Sequence, residues 1–147
     1  MRAFFAALVC ASVLCWNAAA KEDKKPDPKA DQKNMQGTWT VEKFLRDGKP
    51  FPVGKEAQFV IKGNKMSFKV GDREQSVTFT LDPGKKPPAI DLAHPTNPNL
   101  KAVGIYRLEK DKLTILRVEA DQLPRPKSFD ESNKEGTIFW VFKRKSK

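Results

Sequence analysis

Beyond residue 20 the chain has no cysteine, because Cys10 and Cys15, the two it holds, both lie in the first twenty residues. A chain processed there has no disulfide, no cysteine-based metal site and no cysteine nucleophile. Histidine is nearly as scarce. His94 is the sole one, set between Ala93 and Pro95 in a Pro/Asn-rich stretch. No second imidazole can complete a zinc site with it, and any histidine-based triad has to be built on it. Its expected state is solvent exposure on a loop. Also missing are a P-loop, a Gly-x-Ser-x-Gly elbow, an EF-hand loop and a dinucleotide fingerprint. The longest apolar run, residues 3–16, falls short of the ~20 residues that span a bilayer as a helix. No catalytic residue, metal or cofactor is therefore expected.

What is present begins with a leader. Arg2 is the only charge before Lys21, the run from Ala3 to Trp16 is apolar except for Ser12, and Ala18-Ala19-Ala20 follows. A charged start, a short apolar stretch and a small-residue end make a signal peptide over residues 1–20, so the protein is expected to be exported, periplasmic or secreted. Leu14 precedes Cys15 and Val9 precedes Cys10, where a lipid-attachment site needs a small residue. Loss of Arg2 lowers the net charge from +10 to +9, still strongly basic. Export and the lack of an RNP-type motif or recognition helix argue against nucleic acid. An anionic envelope polymer or a protein partner is the alternative use of that charge. Residues 21–33 alternate Lys with Asp and Glu around Pro26 and Pro28 and hold no large apolar residue. Such a segment cannot offset its ordering entropy and is expected to be a flexible linker. The domain then runs over 34–144, followed by a basic tail, 145–147.

Inside the domain the apolar period is two, the mark of strands with one buried face. Val77, Phe79 and Leu81 alternate with Ser76, Thr78 and Thr80; Met66, Phe68 and Val70 alternate with Ser67 and Lys69; Phe59 and Ile61 alternate with Val60 and Lys62. Ile138, Trp140 and Phe142 share one face of the last run while Phe139 and Val141 occupy the other, so something is expected to cover that second side. Turn signals at Gly63-Asn64, Gly71-Asp72, Asp82-Pro83-Gly84 and Lys110-Asp111 separate the runs. Eight strands are expected, at 38–46, 56–62, 65–70, 74–81, 88–93, 101–109, 112–119 and 136–144. Their spacing points to an all-β, eight-stranded antiparallel up-and-down barrel, closed or nearly closed. No amphipathic helix is expected, and Pro124 and Pro126 mark an irregular crossover before the last strand.

Gln36-Gly37-Thr38-Trp39 opens the first strand, and Phe142-Lys143-Arg144 ends the last. A Gly-x-Trp paired with a terminal-strand Arg resembles the lipocalin superfamily, in which the Trp plugs one barrel end and the Arg packs over its ring. The resemblance implies that Trp39 and Arg144 form that pair. A closer likeness adds Gly48-Lys49-Pro50, Leu81-Asp82-Pro83, Lys86-Pro87, Ile90-Asp91-Leu92, Gly104-Ile105-Tyr106-Arg107-Leu108, Asp111-Lys112-Leu113-Thr114-Ile115 and Arg125-Pro126. In this order the segments resemble a small exported, lipocalin-like domain family of unknown function, abundant in planctomycete bacteria. Lys110 stands where that family commonly has Gly, and the segment before Arg125 lacks its usual Gly and Cys. The resemblance implies the fold and export; it carries no established activity.

Among the carboxylates, Asp82, Asp91, Asp111, Asp121, Asp130 and Glu131 are the ones to weigh for catalysis. A glycosidase needs two of them across one cleft, and Asp82 with Asp91, flanking a Pro-rich loop, is the sole pairing that suggests a hydrolase. Asp before Pro-Gly is equally an ordinary turn former. The aromatic residues speak louder. Trp39, Phe59, Phe68, Phe79, Tyr106 and Trp140 all fall on strands, and in a barrel their shared face lines the interior. They either fill that space or leave a pocket for an apolar molecule, with Tyr106 or Arg107 orienting its polar end. A chain this short favours a filled or nearly filled interior. The leading expectation is a non-enzymatic, monomeric domain with no membrane span after leader removal, binding a small, partly apolar ligand in one mouth of the barrel.

Overall fold

The computed structural model describes residues 26–54, 57–70 and 72–146. The expected leader, residues 21–25 of the expected linker and Lys147 of the tail lie outside them. The described strands are β1 (Gly37–Arg46), β2 (Lys49–Pro50), β3 (Gln58–Lys62), β4 (Lys65–Val70), β5 (Arg73–Asp82), β6 (Ala89–Ala93), β7 (Lys101–Leu108), β8 (Lys112–Glu119) and β9 (Thr137–Arg144). They are hydrogen-bonded in the order β2-β1-β3-β4-β5-β6-β7-β8-β9, and β1 also pairs with β9. All pairings are antiparallel, so every strand but β2 belongs to a closed, eight-stranded up-and-down barrel. These are the eight expected strands, with ends shifted by no more than two residues.

The register shows why the period-two pattern folds this way. Phe59 faces Phe68, Phe79 faces Leu92, Leu113 faces Phe142 and Ile115 faces Trp140, so each strand's apolar phase meets that of its neighbour. One core results, holding Trp39, Phe59, Ile61, Phe79, Ile90 and Phe142 among others. Each large side chain buried there contributes about 1.5–3 kcal/mol. In β1 a bulge between Val41 and Lys43 shifts the phase, so that Phe44 pairs with Trp140 and turns inward like Val41.

Two elements depart from expectation. The charged segment read as a flexible linker carries a helix, α1 (Pro28–Met35), and so corrects both the linker's extent and the absence of helices. Asp27 caps it by accepting the Lys29 N–H at 2.9 Å, and Pro28 occupies its first turn. Its apolar contribution is one residue, Met35, fully buried in the core. The second is β2, joined to β1 through Asp47 (φ 54°) and Gly48 (φ 73°). Two consecutive positive φ values match a type I′ hairpin turn.

The expected cover on the last strand is there. Leu45, Ile105, Leu116, Val118 and Val141 are buried, yet they lie outside the interior cluster, on the outer face of β1, β7, β8 and β9. The crossover 120–136 overlies them. Arg107 stacks on its Phe129 at 4.8 Å, and Gly136 abuts Leu123. A 3-10 turn (Phe129–Asn133) inside the crossover is held by a capping box between Ser128 and Glu131. The Lys134 ammonium, then the Lys127 N–H, hold the Glu131 carboxyl below its usual range.

Arg125 fastens this cover to the barrel. Its guanidinium donates to the carbonyls of Gly104 (2.7 Å) and Ile90 (3.1 Å) and to the Asp91 carboxylate (2.5 Å). Gly104 is glycine for want of room: a β-carbon there would sit 2.4 Å from the Leu116 carbonyl oxygen, which is backbone and cannot swing away. Gly104→Ala is expected to cost about 1–3 kcal/mol, read as a lower urea midpoint at unchanged slope.

Candidate functional site

The two ends of the barrel are built differently. At one end the interior is plugged. Trp39 is fully buried and its indole N–H donates to the Met35 carbonyl at 2.9 Å. The Arg144 guanidinium lies 4.2 Å from the Trp39 ring centroid and donates to the carbonyls of Asn34 (2.6 Å), Gln36 (2.8 Å) and Lys110 (3.2 Å). A guanidinium over an indole contributes about 0.5–2 kcal/mol, more where water is excluded. Tyr106 reaches the same plug: its hydroxyl donates to Asp31 of α1 at 2.6 Å. Burial, and then the bond to Asp31, push its phenol well above the ordinary value of 10.0. The Trp39–Arg144 stack is thus present, and it belongs to the closed end.

At the other end the barrel is open. A cavity of ≈490 Å³ begins there and runs inward between the strands. Its apolar wall is aromatic: Phe59 stacks on Phe68 (5.1 Å between centroids) and meets Phe142 (4.8 Å) and Trp140 (5.1 Å) edge-on. Trp140 in turn stacks flat on Phe44 at 3.8 Å, and Phe44 meets the exposed Phe51 at 5.2 Å. The rings therefore form an unbroken path of stacked and edge-on contacts from the cavity to the surface. The rim is polar. Gln75, His94, Gln122, Arg117 and Glu119 line it, and Arg117 pairs with Glu119 at 2.7 Å. The His94 Nδ1 lies 3.1 Å from the Thr96 hydroxyl, which fixes the ring at the edge of the mouth.

Of the ligand-binding residues expected from sequence, Phe59, Phe68 and Trp140 line this cavity. Trp39 and Tyr106 do not; both are committed to the closed end. Phe79 is buried in the core without reaching the cavity lining. Arg107 is a correction of a different kind. It lies between inward-facing Tyr106 and Leu108, so strand alternation turns it outward, onto Phe129. The expected filled interior holds for the plugged half and fails for the open half. Sequence reasoning missed Arg117 and Glu119, although they continue the inward phase of Leu113 and Ile115 along β8.

Asp82 and Asp91 lie outside the cavity lining. The Asp82 carboxylate accepts the Gly84 N–H at 3.2 Å within its own turn, and Asp91 is held by Arg125. Among the described residues no group of three or more His, Asp and Glu side chains comes together as a metal site. No described helix is long and apolar enough to cross a membrane.

Fold and site together define a small up-and-down barrel with one plugged end and one open, aromatic-walled mouth. No family model, no curated protein and no solved structure matches the chain.

Proposed function

We propose that this protein is an exported, lipocalin-like binding domain, without catalytic activity, that takes one small, partly apolar ligand into the open mouth of its barrel. The observation that carries the reading is the cavity of ≈490 Å³. Small-molecule sites typically measure about 300–1,000 Å³, apolar over most of their surface with a few placed polar groups. The ligand's apolar body lies along Phe59, Phe68 and Trp140. Its polar end meets Arg117, whose cation is already held in place by Glu119. The plugged end gives the mouth a rigid floor, so little ordering is needed on binding.

Native mass spectrometry of the protein purified from its own source, together with titration by a dansyl-labelled fatty acid, tests this. Trp140 is the indole beside the cavity, so saturable energy transfer from tryptophan to the probe is expected. Arg117→Gln is expected to weaken binding of the probe's carboxylate by about tenfold or more, because a hydrogen bond to a charged group is worth about 1.5–3 kcal/mol. Ala102→Phe, which fills the cavity from β7, is expected to abolish it. No co-purifying molecule together with no saturable transfer overturns the proposal.

A further inference from the structure

Away from the mouth, the outer faces of five adjacent strands carry an unusual arrangement of charge. Hydrogen-bond register places Lys112 of β8 beside Lys143 of β9, then Thr40 of β1, Gln58 of β3 and Lys69 of β4, in one transverse row. Four residues along β4 from Lys69, Lys65 stands directly opposite Lys62 of β3. Between the two rows runs a neutral one: Thr38, Val60, Ser67 and Ser76. Lys145 continues β9 beside Thr38, to whose carbonyl its N–H donates at 2.9 Å. The result on β3 and β4 is a furrow of ≈400 Å³, floored by Val60 and Ser67 and flanked by Lys69 and Glu74 on one side and by Lys62 and Lys65 on the other.

One fact marks this furrow as more than a solvated face. Lys62 opposes Lys65, and Lys112 opposes Lys143, as direct cross-strand neighbours, a placement that costs stability in the free protein. The six lysines, like most others among the described residues, are in no ion pair, so their charge is free to meet a ligand. Two carboxylates end the longer row: Glu74 faces Lys69 from β5, and Glu109 stands opposite Lys112 at the β7–β8 turn, its N–H donating to the Lys112 carbonyl at 2.8 Å.

We infer that the furrow binds a linear acidic polysaccharide, a chain of sugars bearing carboxylates or sulfates. The lysine rows are about 13 Å apart along the strand at ~3.3 Å per residue, which leaves room for one extended polymer chain between them. Its anions meet lysines on both sides, while Thr38, Thr40, Gln58 and Ser67 offer hydrogen bonds to its hydroxyls. A bilayer surface is a poorer match, since interfacial binding needs buried apolar area and, among the described residues, Val60 is the one exposed large hydrophobic on this face. Single-stranded nucleic acid is poorer too, because Phe68, the aromatic residue of the furrow's lining, is turned into the barrel against Phe59 and does not present its ring to a base.

The test uses the purified protein with polygalacturonate as the probe, across a salt series. Binding is expected at low ionic strength and is expected to weaken steadily as salt rises. The triple variant Lys62→Gln, Lys65→Gln, Lys69→Gln is expected to lose at least about tenfold in affinity while melting no lower than the parent, since it removes a repulsion. A control with the same net charge, Lys33→Gln, Lys86→Gln, Lys127→Gln, is expected to lose less than about threefold. Equal losses in the two triples overturn the furrow in favour of net charge alone. Absence of binding at low salt overturns it outright. Tighter binding to vesicles rich in phosphatidylglycerol than to the polymer, lost in the furrow triple, assigns the face to membrane instead.

Discussion

Trp39→Ala is expected to remove about 3–5 kcal/mol of stability, against a total of about 5–15 kcal/mol for a domain of this kind. The size of the effect follows from how many groups depend on one ring. The indole is fully buried, its N–H satisfies the Met35 carbonyl that ends α1, and its face seats the Arg144 guanidinium. Removing it opens a void, leaves a buried carbonyl without its donor and takes away the surface that aligns Arg144 with three backbone oxygens. Trp39→Phe keeps a ring for Arg144 and loses the N–H donor, so about 1–2 kcal/mol is expected. Urea unfolding followed by circular dichroism measures both. A loss below about 1.5 kcal/mol for the alanine variant would show that the plug does not hold the barrel end.

A second large effect is expected at high pH. Tyr106 is the chain's single tyrosine, so phenolate absorbance reports one group without ambiguity. Burial comes first and the Asp31 hydrogen bond second in raising its ionisation above 10.0. The sign is set by linkage. Because the folded state holds the proton more tightly than the unfolded state, this contribution is intact below pH 10. It is lost progressively as pH rises beyond the unfolded value towards the folded one. At about pH 11 the native protein is therefore expected to show less phenolate than the urea-unfolded chain at the same pH. Phenolate and loss of circular dichroism are expected to appear together. Asp31→Asn keeps an acceptor and removes the charge, so ionisation shifts part of the way back. A phenolate that titrates near 10 in a protein still folded would refute the assignment.

Much of the barrel was legible in the chain because strand alternation encodes a facing direction for every residue. Val77, Phe79 and Leu81 point inward whatever surrounds them, and the turns at Gly63-Asn64 and Asp82-Pro83-Gly84 fix where neighbours meet. The Trp39–Arg144 stack was legible through the Gly-x-Trp resemblance. Volume was not. Alternation says which rings face the centre, but whether they touch depends on barrel diameter and on the phase shift at the β1 bulge, which the sequence does not announce. The helix α1 was hidden for a different reason: it buries Met35 alone and is otherwise held by backbone carbonyls and the Tyr106–Asp31 bond, none of which leaves an apolar period. Arg107 shows the sensitivity of the pattern, since one residue along β7 separates the interior from the outer cover. The lysine rows are invisible in linear order, because Lys112, Lys143 and Lys69 come to share one row only through register.

The seam between β1 and β9 joins the beginning of the domain to its end, with Trp39 registered on Arg144. The pairs from β3 to β8 are local hairpins or short connections, able to form as soon as their own residues are available, while β1–β3 spans the β2 excursion and β8–β9 the crossover 120–136. Cylinder closure waits for the final strand, which pairs with both β8 and β1, and until then the growing sheet has two raw edges open to pairing with a second chain. A stop codon a few residues before Thr137 therefore does far more than shorten the protein: it leaves a sticky, uncurled ribbon.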